Sequence, residues 1–233
     1  MWIRLLLTLL LAHLVGDFLL QTDSLCAKKR EGRFRCGFLY IHAGIVAALT
    51  MLALWHWSFW PCALTIGVAH LIIDGIKASV KKDSIWLFLS DQFLHIVILA
   101  VVAYICVGRF AWTSSDWQTD QVFKIVAVAI AAILCWKPAN ILIKYILQYC
   151  KMNVPGDDTT LFHAGKLIGT LERWLILVFL LIGRYEVIGF LIAAKSIIRF
   201  GEKDKDQTEY FLAGTLLSIS IAVGCGLLLR IIV

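Results

Sequence analysis

The feature that most constrains this chain is a succession of apolar runs near twenty residues long, at roughly 2–20, 37–55, 61–78, 85–107, 122–149, 167–183, 185–200 and 209–230. A helix of about 20 residues spans the hydrocarbon core of a bilayer. Inside hydrocarbon a backbone must satisfy its own N–H and C=O groups, and a helix does so within a single segment. The expected fold is therefore an all-α polytopic membrane helical bundle of about eight transmembrane helices. Composition agrees, since 61% of the residues are hydrophobic and 16% are charged, too apolar a mix for a soluble domain. We expect one membrane domain in two halves: residues 1–107, four helices with a metal site, and residues 108–233, four helices with a cationic polar network.

Two places blur this pattern. The connection GRYE at 183–186 is so short that residues 167–200 could form two spans, a re-entrant pair or one long bent helix. The run 122–149 is longer than a crossing requires and contains Pro138, which predicts a kink or break near Lys137–Asn140.

The net charge of +6 is confined to the connections, which reads as topology and not as a nucleic-acid face. Lys28, Lys29, Arg30, Arg33 and Arg35 follow the first span; Lys77, Lys81 and Lys82 the third; Lys144, Lys151 and Lys166 the fifth; Lys195, Arg199, Lys203 and Lys205 the seventh. The other side has Arg4, Arg109, Lys124, Arg184 and Arg230. Positive residues stay in the cytoplasm, so both termini are expected on the outer side. Trp2, Trp55, Trp57, Trp60, Trp112 and Trp117 then form an outer aromatic belt. The expected partners are membrane lipid and an amphiphilic small molecule, with no nucleic acid.

Seven cysteines show no CxxC spacing, and the odd count leaves at least one unpaired within the chain, so reduced or lipid-buried thiols are expected. The first apolar run contains His13 and Asp17, which a disposable signal peptide has no reason to carry, and it is read as a retained span.

Those two residues belong to a repeated grammar. His13 and Asp17, His70 and Asp74, and Asp91 and His95 are each four residues apart, one turn on one helical face. His42 opens the second span. With a rise of about 1.5 Å per residue, all seven fall roughly 5–15 Å from the cytoplasmic ends of their spans. An ionisable group in hydrocarbon costs a few kcal/mol and should be paired or functional. The seven are read as one intramembrane metal site: His13, Asp17, His42, His70, Asp74, Asp91 and His95. Imidazole with carboxylate suits zinc, with manganese or iron as alternatives, and disfavours calcium. Seven donors exceed one tetrahedral ion, so they fit two bridged ions, or one ion whose His ligands are oriented by further carboxylates. Asp74 and Asp91 are the candidate catalytic carboxylates. The plain alternative is a set of His–Asp hydrogen bonds that hold the helices together.

Four cations are candidates for substrate binding: Lys77, one turn from Asp74, and Arg173, Lys195 and Arg199 in the second half. Lys77 could instead snorkel to the interface. The other three could form a compensating network, Glu172 with Lys195 or Arg199 and Arg173 with Glu209, or a pocket for a phosphate or lipid head group. His56 reads as interfacial, and His163 is near enough in depth to reach the site.

AHLVGDFLLQTD at 12–23, YIHAGIVA at 40–47, HLIIDGIK at 70–77, DQFLHI at 91–96, GTLERWLIL, IGFLIAAKSIIRF and EYFLAGTLLS resemble a family of small bacterial inner-membrane proteins of unknown function. That resemblance implies a multi-pass protein of the bacterial inner membrane and no established activity. More distantly, His13, Asp17, His70, Asp74, Asp91 and His95 are similar to the pattern of bacterial membrane-bound metal-dependent hydrolases, with no counterpart for the second half.

The expected function is a metal-dependent membrane hydrolase acting on an amphiphilic, lipid-linked phosphate type of substrate near the cytoplasmic face. The alternatives are a metal-ion or proton-coupled transporter, which needs polar residues through the outer leaflet, and a non-enzymatic membrane partner or sensor with a structural His–Asp site.

Overall fold

The computed structural model describes residues 2–80, 83–109, 119–152, 159–199 and 205–232, with the side chains of 108–109, 159–164, 198–199 and 205–207 outside that description. Among the described residues every element is helical. In chain order they are α1 (Trp2–Leu14), α2 (Asp23–Gly32), α3 (Gly37–Leu54), α4 (Trp60–Ser79), α5 (Ile85–Arg109), α6 (Asp120–Leu134), α7 (Lys137–Tyr149), α8 (Thr159–Leu181), α9 (Tyr185–Arg199) and α10 (Lys205–Ile232). A π-helical turn, Val15–Leu19, continues α1.

Among the described residues six segments are long and apolar enough to cross a membrane: Trp2–Leu19, Gly37–Leu54, Trp57–Ser79, Ile85–Val107, Asp120–Tyr149 and Thr208–Ile232. The expectation of eight is met only to that extent. Lys166, Glu172 and Arg173 interrupt the apolar run of α8, and α9 has only 15 residues. The segment 167–200 is two helices, parted by a turn at Ile182–Arg184 in which Gly183 takes φ +71°, a backbone state that glycine adopts without strain. The long fifth segment breaks at Cys135–Trp136, just ahead of the expected place. Pro138 then opens α7, where its missing N–H costs no helical bond.

The chain forms two compact units, Met1–Ile130 and Ala131–Val233. In the first, α1 packs on α3 and α5, and α4 packs on the same two helices, which closes a ring of four. One end of this bundle is an apolar cluster that includes Leu5, Leu9, Val46, Phe59, Ile66 and Leu99. The outward faces are apolar as well, with Ile41, Leu52, Phe93 and Tyr104 all more than half exposed, the reverse of a water-soluble domain. Small residues let α3 and α4 approach closely: a Cβ on Gly67 would stand 2.9 Å from the Ala47 Cβ.

Trp55, Trp57 and Trp60 are exposed where α3 ends and α4 begins. Trp112 and Trp117 of the expected belt, and Lys81, Lys82 and Lys203 of the basic connections, lie outside the described residues. Near the same end, Cys62 of α4 and Cys106 of α5 form a disulfide. For this pair that corrects the expectation of reduced or lipid-buried thiols, because 44 residues of separation hid a pairing that two antiparallel helices create. Cys26, Cys36, Cys135, Cys150 and Cys225 are free.

In the second unit α10 packs along α8 and α7, and α9 packs against α8.

Candidate metal centre

The polar end of the four-helix bundle gathers all seven expected side chains. His13 comes from the end of α1, Asp17 from the π-helical turn, His42 from the second turn of α3, His70 and Asp74 from the second half of α4, and Asp91 and His95 from the first half of α5. The π turn matters locally because its wider winding re-aims a side chain from the ordinary helical face. His13, His42, His70, Asp74, Asp91 and His95 are all at most 5% exposed.

His70 lies at the centre. Its ring centroid is 4.4 Å from that of His95, 5.0 Å from His42 and 5.5 Å from His13, while His13 and His95 stack at 4.8 Å. Asp17 faces three imidazoles: its Oδ1 is 3.2 Å from His42 Nε2 and 3.3 Å from His70 Nε2, and its Oδ2 is 3.7 Å from His13 Nε2. Asp74 Oδ2 lies 3.6 Å from His70 Nε2 and 3.8 Å from His42 Nε2.

These spacings admit two explanations. Ligand atoms around a tetrahedral zinc stand roughly 3.3 Å apart, but 3.2 Å also suits the hydrogen bond between His42 Nε2 and Asp17 Oδ1. The unpartnered atoms separate the two. His13 Nε2, both ring nitrogens of His70, His95 Nε2 and Asp91 Oδ1 are buried with no hydrogen-bond partner. Each such atom costs about 1–3 kcal/mol if left so, and native proteins leave few.

His95 shows what is missing. Its Nδ1 is 2.9 Å from the Asp91 backbone oxygen. A carbonyl only accepts, so Nδ1 carries the proton, and in the neutral ring Nε2 presents a bare lone pair. Beside it, Asp91 Oδ1 is also acceptor-only. In that state two buried acceptors stand without a donor, and imidazole with carboxylate is a donor set that a transition metal takes. Three sets offer atoms within 4.8 Å of one another: His13, Asp17 and His70; His42, His70 and Asp74; Asp74, Asp91 and His95. The donors therefore fit one ion or two.

Two lysines missing from the expected donor set close it. Lys29 pairs with Asp74 Oδ2, and it is the one buried residue of α2. Lys77 donates to Asp91 Oδ2 at 2.6 Å, as does Gln92 Nε2 at 2.9 Å. Lys77 thus turns inward instead of snorkelling. Lys29 sat within the run Lys28–Arg30 and read only as a topology signal. The helical phase of α2, which no apolar stripe marks, decides which of those cations is buried. His56 stays outside, bonded to Ser58 at 2.9 Å, and the side chain of His163 lies outside the described residues.

In the second unit, Lys195 pairs with Glu172, one of the two expected partners, and the side chain of Arg199 lies outside the described residues. Arg173 does not reach Glu209, which is exposed at the start of α10. Its guanidinium is 1% exposed and donates to Cys135 O at 2.6 Å, Ser218 Oγ at 2.8 Å, Asn140 Oδ1 at 2.6 Å and Thr170 Oγ1 at 3.1 Å.

Comparison with curated proteins and with solved structures returns no match. A family model described as a protein of unknown function, DUF3307, matches residues 5–123, a stretch that holds all seven His and Asp residues of the cluster. With just over half of its length matched, the chain belongs to the DUF3307 family of proteins of unknown function.

Proposed function

We propose that this end of the bundle binds one or two divalent metal ions, zinc foremost, and that the protein is a metal-dependent hydrolase of an amphiphilic, lipid-linked phosphate or acyl substrate. The observation that carries the reading is the pair of buried acceptors without a donor, His95 Nε2 and Asp91 Oδ1. A divalent ion bound there supplies Lewis acidity toward a phosphoryl or acyl oxygen.

The chain's own residues supply the rest. His13, His42, His70 and His95 offer ring nitrogens, and Asp17 stands beside three of them. Asp91 has Oδ2 fixed by Lys77 and Gln92, which leaves Oδ1 as the candidate ligand beside His95 Nε2. Lys29 on Asp74 and Lys77 on Asp91 offset two of the three carboxylate charges, which leaves one negative charge for an added cation to meet, and a single divalent ion takes the cluster to one net positive charge. The apolar outward faces favour a substrate that arrives from the bilayer.

We also infer eight crossings, with α8 and α9 as the polar sixth and seventh, both termini on the outer side and the metal end toward the cytoplasm of a bacterial inner membrane. The basic connections support this orientation. The disulfide near the opposite end supports it too, since such bonds persist in an oxidising compartment.

Zinc analysis of the purified protein, followed by turnover of short-chain phosphate and acyl esters in mixed micelles, tests the proposal. Wild type should retain one or two ions and hydrolyse one ester class, and Asp91→Asn should lose turnover. Retained zinc with no turnover, but with zinc uptake into liposomes, would support the transporter instead. One observation favours a non-enzymatic role, namely that Lys29 and Lys77 already pair two of the carboxylates. A wild type free of metal after growth in zinc would establish it.

A further inference from the structure

The second unit holds a feature that the metal reading does not use. A pocket of about 170 Å³ lies among α7, α8, α9 and α10, and its wall includes Asn140, Lys144, Arg173, Lys195, Thr215 and Ser218. No Asp or Glu lines it among the described residues. Lys195 is tied to Glu172 at the edge, whereas Lys144 is exposed on α7.

Arg173 is the unusual member. A buried guanidinium is ordinarily held by a carboxylate, yet its four acceptors are a backbone carbonyl, two hydroxyls and an amide oxygen. Those bonds fix its plane, and none of them brings a carboxylate to the guanidinium. They also use only one of the two Nη1 hydrogens. Nη1 is the atom that a Cβ on Gly169 would meet, at 3.3 Å, and Gly169 itself lines the pocket. A side chain at 169 would crowd that edge of the guanidinium where it lines the pocket.

We propose that this pocket is an anion site that takes a single phosphate group, with Arg173 as its fixed donor, Lys144 as its mobile cation and Lys195, tied to Glu172, at its edge. A planar, pre-oriented guanidinium with flanking ammonium groups is the arrangement that recognises phosphate. The phosphate could belong to a lipid head group or be free in solution, and the shared chemistry is the monoanionic or dianionic phosphoryl oxygen set. The site stands on the residues of the second unit alone and does not depend on metal at the other site.

The test uses the full chain in detergent. Thermal unfolding is followed with added inorganic phosphate against chloride at equal ionic strength, and native mass spectrometry records phosphatidylglycerol kept after transfer from vesicles of phosphatidylglycerol and phosphatidylcholine. Stabilisation by phosphate in wild type, with affinity weakened about tenfold or more by Lys144→Glu, identifies a free phosphate ligand. Retention of phosphatidylglycerol by wild type, lost in the same variant, identifies a lipid ligand. Arg173→Lys should abolish either response. Should it fail to fold, the exposed Lys144 still decides the matter. Equal behaviour of wild type and Lys144→Glu with both probes overturns the proposal. Asp91→Asn should leave both responses intact, which keeps this result separate from that of the metal site.

Discussion

Lys29, carried on the short helix α2, buries its ammonium against Asp74 of α4. The two side chains are 8% and 6% exposed, so the pair is withdrawn from water and neither charge can relax into solvent. Removing one member of such a pair costs about 3–5 kcal/mol, because the other is left buried and unbalanced.

Lys29→Met should therefore destabilise the metal-free protein by about that amount, and saturating zinc should recover most of the loss by giving Asp74 a second cation. Thermal unfolding with chelator and with zinc measures both. A variant that zinc does not rescue would make Lys29 a purely structural pin and would count against Asp74 as a ligand.

Asp17 is the carboxylate closest to two imidazoles, 3.2 Å from His42 Nε2 and 3.3 Å from His70 Nε2. Asp17→Asn keeps the shape and removes the charge. We expect metal affinity to fall about 10- to 100-fold or more, with the helical content unchanged. Competition with a zinc chelator gives the affinity, and circular dichroism gives the fold. Unaltered affinity would remove Asp17 from the donor set.

The helical layout and the seven polar residues were legible because period and spacing are local. Four residues of separation puts His70 and Asp74 on one face of α4 wherever that helix packs, and the basic connections make α4 and α5 antiparallel neighbours. What was not legible depends on rotation and on contacts between distant segments. The burial of Lys29 follows from the phase of a polar helix, and the Cys62–Cys106 bond from which faces of α4 and α5 meet. Arg173 was expected to seek Glu209, but the break ahead of Pro138 turns the Cys135 carbonyl toward it, an acceptor that no sequence pattern advertises. The π turn at Val15–Leu19 was equally silent, since nothing in VGDFL distinguishes it from an ordinary helical turn.

Metal removal should expose the cost of the unpartnered atoms. Among the described residues five buried side-chain polar atoms lack hydrogen-bond partners, so stripping the protein with a strong chelator should lower its thermal stability, and zinc should restore it. Calcium should not, because imidazole is a poor ligand for it. Equal rescue by calcium and zinc would point to carboxylate screening alone, and no effect of chelator would mean that the histidines are neutral packing groups.

The disulfide gives a last and independent check on unit one and on orientation. With seven cysteines in the chain and five of them free, the denatured, unreduced protein should take up five maleimides, rising to seven after reduction. Cys62→Ser should leave six in the unreduced protein, because it releases Cys106. In the native protein Cys150, exposed on the surface, should label ahead of Cys26. Burial pushes the Cys26 thiol up, and Lys29 offsets that only in part, so little thiolate is present there at neutral pH. A denatured count of seven without reductant would mean that α4 and α5 do not bring Cys62 and Cys106 together in an oxidising compartment. The outer placement of that end of the bundle would then lose its second support.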